Sequence, residues 1–176
     1  MRDPAEPRLS LTEWVVLCVA AENAAHHGFA IAAQLGRGPR LVLSGMSPGR
    51  RVYRTLERLA GLGLIRVVGQ ERSSTGPVRQ LCEVTPAGRE LAGAWLGRPA
   101  RHGRDVRSEL LVKLALLDRA GVNASDLVRA QRDQLAPIAG GLEERLRSAE
   151  GPEHTVMLWR REAISATLRF LDALEG

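Results

Sequence analysis

The chain has 176 residues, of which 44% are hydrophobic and 26% charged; that is enough to bury a real core and too apolar for a disordered chain. Its formal net charge is +5, and the basic excess is local: residues 37–79 hold 9 basic residues against 2 acidic ones, Glu57 and Glu71. The longest uninterrupted apolar run, 14–21, is too short to span a bilayer, and Asp3, Pro4, Glu6 and Glu13 spoil the pattern of a secretory leader, so a cytoplasmic protein with no membrane partner is expected.

Residues 1–9 read as a disordered lead-in. A first helix is expected over about 11–22, with Ser10 or Thr12 as its cap and Leu11, Val15, Leu17, Val19 and Ala20 as apolar faces. "HHGFAIAAQLG" predicts a second helix, entered near Gly28 and ended by Gly36, and the loop "RGPRLVLSGM" leads to a third over 47–61. There Ser47 can cap and Pro48 takes the first helical position, where its missing N–H does no harm. Val52, Leu56, Leu59 and Ala60 form a core-facing stripe, and Arg50, Arg51, Arg54 and Arg58 occupy the rest of the surface.

After Gly63 the period changes. "LIRVV" (64–68) and "VRQLCEV" (78–84) are short, β-branched and roughly alternating, and "GQERSSTGP" between them is turn-rich, the signature of a hairpin with a long tip. "TPAGRELAGAWLG" restarts a helix with Thr85 as cap and Pro86 first. Helices, hairpin and a further helix in this order make a winged helix-turn-helix over 10–97, whose second paired helix enters the major groove.

A Gly/Arg-rich linker over 98–107 is expected to lead into a helical dimerisation domain, 108–176. Ser108 can cap "ELLVKLALLDRA", which Gly121 ends. Ser125 can cap a longer helix bearing Val128, Leu135, Leu142 and Ala149 at intervals of seven, and Pro137, Gly140 and Gly141 should kink or interrupt it. A last helix over about 153–174 places Val156, Trp159, Ala163, Ala166, Phe170 and Ala173 at spacings of three and four. Two or three helices alone offer little to bury such wide stripes, so a homodimer is expected, with Val156, Trp159, Ala163 and Phe170 at its interface. The fold class is thus mainly α with a small β-hairpin.

The local basic patch is the electrostatic footprint of a nucleic-acid binder; a solvated basic surface is the alternative. On the DNA reading, Val52, Leu56 and Leu59 seat the third helix, while Ser47, Arg50, Arg51, Arg54, Thr55 and Arg58 face double-stranded DNA. Arginine can clasp guanine O6 and N7 with two bonds, worth roughly 1–3 kcal/mol of discrimination. Arg72, Ser73, Ser74, Thr75 and Arg79 of the wing would reach the backbone or the minor groove, or else form a solvated loop. Little supports an enzyme, a metal site or a cofactor. His26, His27, His102 and His154 are scattered, no Cys-x-x-Cys or Glu-x-x-His spacing joins them, and no phosphate-binding glycine loop follows a strand. Cys18 and Cys82 sit in apolar runs and read as small buried hydrophobes. A winged helix that binds protein instead would need an apolar recognition face, against which the basic patch argues.

Three stretches together resemble the PadR family of bacterial transcription regulators: "LTEWVVLCVAAENAAHHGFAIAAQL" (11–35), "MSPGRRVYRTLERLAGLGLI" (46–65), and "VTPAGRELAGAWLGRP" (84–99) leading to "ELLVKLAL" (109–116). The last helices are similar to that family's longer-tailed branch in layout. The resemblance implies a homodimeric repressor on a palindromic operator that responds to a small, commonly aromatic, ligand. It matches Tyr53 to a tyrosine that bonds a phosphate or simply packs, and makes Trp95 the first candidate for a ligand platform, with core packing as the alternative. The wing departs from the family in reading "TGPVRQLC" where aromatics are common. A MarR-like regulator has the same wing but extends its N-terminus into the dimer, whereas the extra helices here lie C-terminal.

Overall fold

Ser10 opens the first helix, α1 (Leu11–Ala21), with a full capping box: its backbone N–H donates to Glu13 Oε2 at 2.6 Å, and the Glu13 N–H donates back to Ser10 Oγ. The computed structural model describes residues 7–22, 26–37, 48–71 and 79–175. These fall in two compact units, Met1–Trp95 and Leu96–Gly176.

In the first unit α1 is buried continuously from Glu13 to Ala20, as befits a segment that is apolar on nearly every side. β1 (His26–His27) follows, then α2 (Gly28–Arg37) and α3 (Pro48–Gly61), which packs on both α1 and α2. The hairpin is β2 (Ile65–Glu71) with β3 (Arg79–Val84), and α4 (Pro86–Gly97) leaves it. This is a winged helix-turn-helix. His26 and His27, expected only to lead into a helix, pair antiparallel with Cys82 and Leu81 and make the sheet three-stranded, in the order β1-β3-β2.

Two junctions aim the wing. Gly63, at φ 70°, ends α3: the Leu64 N–H reaches Leu59 O at 3.0 Å and the Gly63 N–H reaches Ala60 O at 2.9 Å, with Leu59 and Leu64 both buried. That double bond pattern needs a left-handed residue, which glycine supplies without a Cβ clash. Thr85 then caps α4 as expected, accepting from the Gly88 N–H at 3.1 Å while its own hydroxyl donates to Gly63 O at 2.8 Å. Gly88 lies so close to the end of α3 that a Cβ there would sit 2.3 Å from Leu64 O.

The second unit begins with a strap rather than a free linker. Gln131 brackets Ala100, its Oε1 accepting from the Ala100 N–H at 2.7 Å and its amide donating to the carbonyl at 3.3 Å. Lys113, fully buried, donates to Arg98 O at 2.7 Å and to Glu109 Oε1 at 2.6 Å. A short α5 (Gly103–Asp105) runs through a π-helical stretch, Val106–Leu110, into α6 (Leu111–Arg119). Ser108, expected to cap a helix, therefore lies within one and donates to Asp105 O.

α7 (Ser125–Ser148) and α8 (Gly151–Glu175) form an antiparallel hairpin. Ser125 is the first residue of α7, not its cap; its N–H is met at 2.7 Å by Asn123 Oδ1. Of the two outcomes expected at Pro137, a kink or an interruption, the interruption does not occur. The helix continues through it, because Asp133 and Pro137 are both exposed and water can satisfy the carbonyl that proline's missing N–H leaves open. Leu110, Leu127, Leu135, Leu142, Met157, Ile164 and Leu171 belong to the core of this unit. Among the described residues, no helix is long and apolar enough to cross a membrane.

Candidate nucleic-acid interface

The sequence of α3 divides it into two faces. Val52, Thr55, Leu56 and Leu59 are buried, whereas Arg51, Tyr53, Arg54, Glu57 and Arg58 are exposed. Thr55, expected to face DNA, is thus corrected to the core stripe: it lies three residues from Val52 and four from Leu59, on one side of a 3.6-residue turn.

Arg58 is exposed with Arg51 and Arg54 and has a partner besides. Its Nε meets Glu13 Oε1 at 2.5 Å and its Nη2 donates to Arg8 O, so the guanidinium is engaged on the α1 side. The capping carboxylate of α1 therefore also anchors the C-terminal half of α3. The Ser10-x-x-Glu13 spacing is a local signal, and it carries no trace of the partner across space.

The N-terminal half of the face is the part turned to solvent. Arg54 makes no side-chain hydrogen bond or ion pair among the described residues, and Arg51, three residues earlier, is exposed on the same side. Tyr53 is 48% exposed. Its ring lies against Gly28 at the start of α2, where a Cβ would come 2.7 Å from Tyr53 Cε1. The tyrosine thus packs through its ring and still presents a solvent-accessible surface. The backbone of Arg50 lies in α3 and that of Arg79 in β3; their side chains, with Ser47, Arg72, Ser73, Ser74 and Thr75, lie outside the described residues.

On the hairpin, Arg66 is held by Glu83 at 3.0 Å, and Glu83 also takes Arg89 at 3.1 Å. Alternation along β2 breaks at Val68: Val67 pairs with Cys82 and Gly69 with Leu81, so Val68 is an extra, bulged residue. Val67 and Val68 are both exposed, an apolar pair on the wing that a period of two does not single out. Cys82, beside them on β3, is half-buried, and burial pushes its thiol pKa up.

Trp95 packs in the core, the alternative to an exposed ligand platform. It is 4% exposed and stacked on Trp14, with ring centroids 5.0 Å apart and planes 3° apart. The exposed tryptophan is Trp159, at 71%. Val156 and Phe170, expected with it at a dimer interface, are exposed on α8 too, as is Ala163. Among the described residues, no group of three or more His, Cys, Asp or Glu gathers to hold a metal ion.

No protein-family model matches the chain, and no curated protein is a significant match. Among solved structures it is similar to Bacillus subtilis PadR in complex with operator DNA, at 17% identity and TM-score 0.47, over 96% of this chain and 100% of that one. It is also similar to smu.1604c from Streptococcus mutans UA159, at 16% identity and TM-score 0.44, over 92% of this chain and 96% of that one.

Proposed function

We propose that the chain is a sequence-specific DNA-binding transcriptional regulator of the PadR kind, a ligand-responsive repressor acting as a homodimer. The observation that carries the DNA reading is the division of α3: its apolar face is seated on α1 and α2, and Arg51, Tyr53 and Arg54 are exposed on the other. In that reading Arg51 and Arg54 read base edges, and the Tyr53 hydroxyl donates to a phosphate beside the start of α2, where a helix N-terminus favours negative charge. Val67 and Val68 on the bulged wing would lie against the sugar edges.

The dimer reading is supported by the exposed apolar face of α8, with Val156, Trp159, Ala163 and Phe170. Two-fold symmetry would then give a palindromic operator with half-sites about 34–36 Å apart or a multiple of that. Repression and response to a ligand are what the sequence resemblance implies.

The test is a fluorescence-anisotropy titration of the full chain against the DNA upstream of its own gene, with a scrambled duplex as control, at three salt concentrations. Tight, salt-sensitive binding to the promoter alone is expected. Arg54→Ala should erode the preference for the promoter, whereas Tyr53→Phe, which takes away a phosphate donor, should weaken binding to both duplexes alike. Unchanged operator binding by the Arg51→Ala/Arg54→Ala double variant would overturn the assignment of this face.

A further inference from the structure

Residues 37–79 hold 2 acidic residues among 9 basic ones, and one of the two, Glu57, stands on the exposed face of α3. At 100° per residue it lies about 160° round the helix from the buried Thr55 and Leu59, and about 140° from Val52. It is thus turned away from the face that seats α3, and stands only about 60° from Arg54. Small residues follow one turn on, Ala60 and Gly61, and a Cβ at Gly61 would meet nothing within 4 Å. The carboxylate is uncovered.

It is also unpaired, although arginines flank it. Arg58, the next residue, is taken by Glu13. Arg54, three residues earlier, forms no ion pair with it, and neither side chain has another partner among the described residues. Elsewhere in the chain an acid and an arginine at the same spacing do meet, as Asp126 with Arg129 and Glu144 with Arg147. In both of those the acid precedes the arginine; on α3 the order is reversed, the poorer orientation for a pair. One turn of α3 therefore offers a guanidinium and a carboxylate side by side, each open to a partner from outside.

A carboxylate in this place works against a helix that only grips phosphates, because it repels them. It suits a helix that reads bases. A carboxylate accepts hydrogen bonds and cannot donate them. In the major groove guanine presents two acceptors and thymine one, which it repels, and adenine sets an acceptor beside its donor. Cytosine presents the N4 amine alone. We propose that Glu57 accepts from a cytosine N4–H in the major groove while Arg54 clasps a guanine near it. The rise from Arg54 to Glu57 is about 4.5 Å, against about 3.4 Å per base step, so the two bases lie one or two steps apart. The proposal rests on the DNA reading of α3 and names part of the half-site: a C·G pair within two steps of a G·C pair.

The test is selection of duplexes from a random-sequence pool by the full chain, followed by anisotropy titration of the selected site and its single-pair variants. The wild type should select a cytosine that Glu57→Ala does not. Replacing that C·G pair by T·A should weaken the wild type about tenfold and Glu57→Ala by less than about twofold. Glu57→Ala should also bind a scrambled duplex more tightly, having lost a charge that repels phosphate. Glu57→Gln should move the preference to adenine, whose N6 and N7 an amide can engage together. Helicity and Tm should be unchanged in both variants, because Glu57 is exposed. Two results would overturn this proposal alone. One is the same selected site for the wild type and Glu57→Ala. The other is a variant that gains equally on every duplex with its base preference intact, since the carboxylate would then face phosphate only. A wild type that prefers no duplex would overturn the DNA reading itself, and this proposal with it.

Discussion

Glu13 closes the capping box of α1 with one carboxylate oxygen and holds the Arg58 guanidinium with the other, so one residue sets both where α1 starts and how the far half of α3 sits on it. Glu13→Ala should lower stability by about 1–2 kcal/mol in urea unfolding, most of it from the cap, because Arg58 is more than half exposed and such a pair contributes little. Arg58→Ala should accordingly disturb duplex binding less than Arg54→Ala, which anisotropy can compare directly. Cys82 gives a pH signature. Burial raises its thiol pKa from the ordinary 9.0, so the fold disfavours the thiolate. The stability this supplies is complete below about pH 9 and is lost as the pH rises through the raised value. The urea midpoint of the wild type should therefore fall more between pH 8 and 10.5 than that of Cys82→Ala.

Elements are where sequence reasoning succeeds most and where its misses are instructive. α1, α3, the hairpin and α4 are legible because each carries a local signal: Ser10 three residues before Glu13, the arginine and aliphatic faces of α3, the turn-rich stretch before β3, and Thr85-Pro86. Ser108 and Ser125 mislead because a serine can cap only if the chain before it is not helical, and tertiary packing extends one helix and places Asn123 at the start of the other. Pro137 does not end its helix because the cost of a proline depends on whether the orphaned carbonyl is buried, which no periodicity reveals. Residue type alone assigns Thr55 to a DNA face, though Thr55 follows the spacing of the buried stripe; that Arg58 has a carboxylate partner on another helix is a contact across space that no local pattern announces. The close approach of α4 to the end of α3 is equally invisible in sequence. Gly88→Ala should force the two apart and cost about 1–3 kcal/mol, read as a lowered Tm with the wing junction the first region to lose hydrogen-exchange protection.

At the scale of the whole molecule, the basic excess of residues 37–79 has a structural counterpart. Among the described residues of the first unit, Arg51, Arg54 and Arg58 are exposed together on α3, while Arg66 on β2 and Arg89 on α4 are exposed around their shared partner Glu83. The log–log slope of duplex affinity against salt should keep nearly its full value in Arg54→Ala, as expected of a side chain that reads a base; a slope shallower by about one unit would mean that it neutralises a phosphate instead. Lys113 has a quite different consequence. It is the only lysine in a chain otherwise supplied with arginine, and it is fully buried against Arg98 and Glu109. Amine-directed acylation of the folded protein should consequently leave every side chain unmodified. A mass-spectrometric tag at Lys113 would appear only as fast as the helical unit opens, which makes this one ammonium group a clock for that unit's unfolding, with no label to introduce.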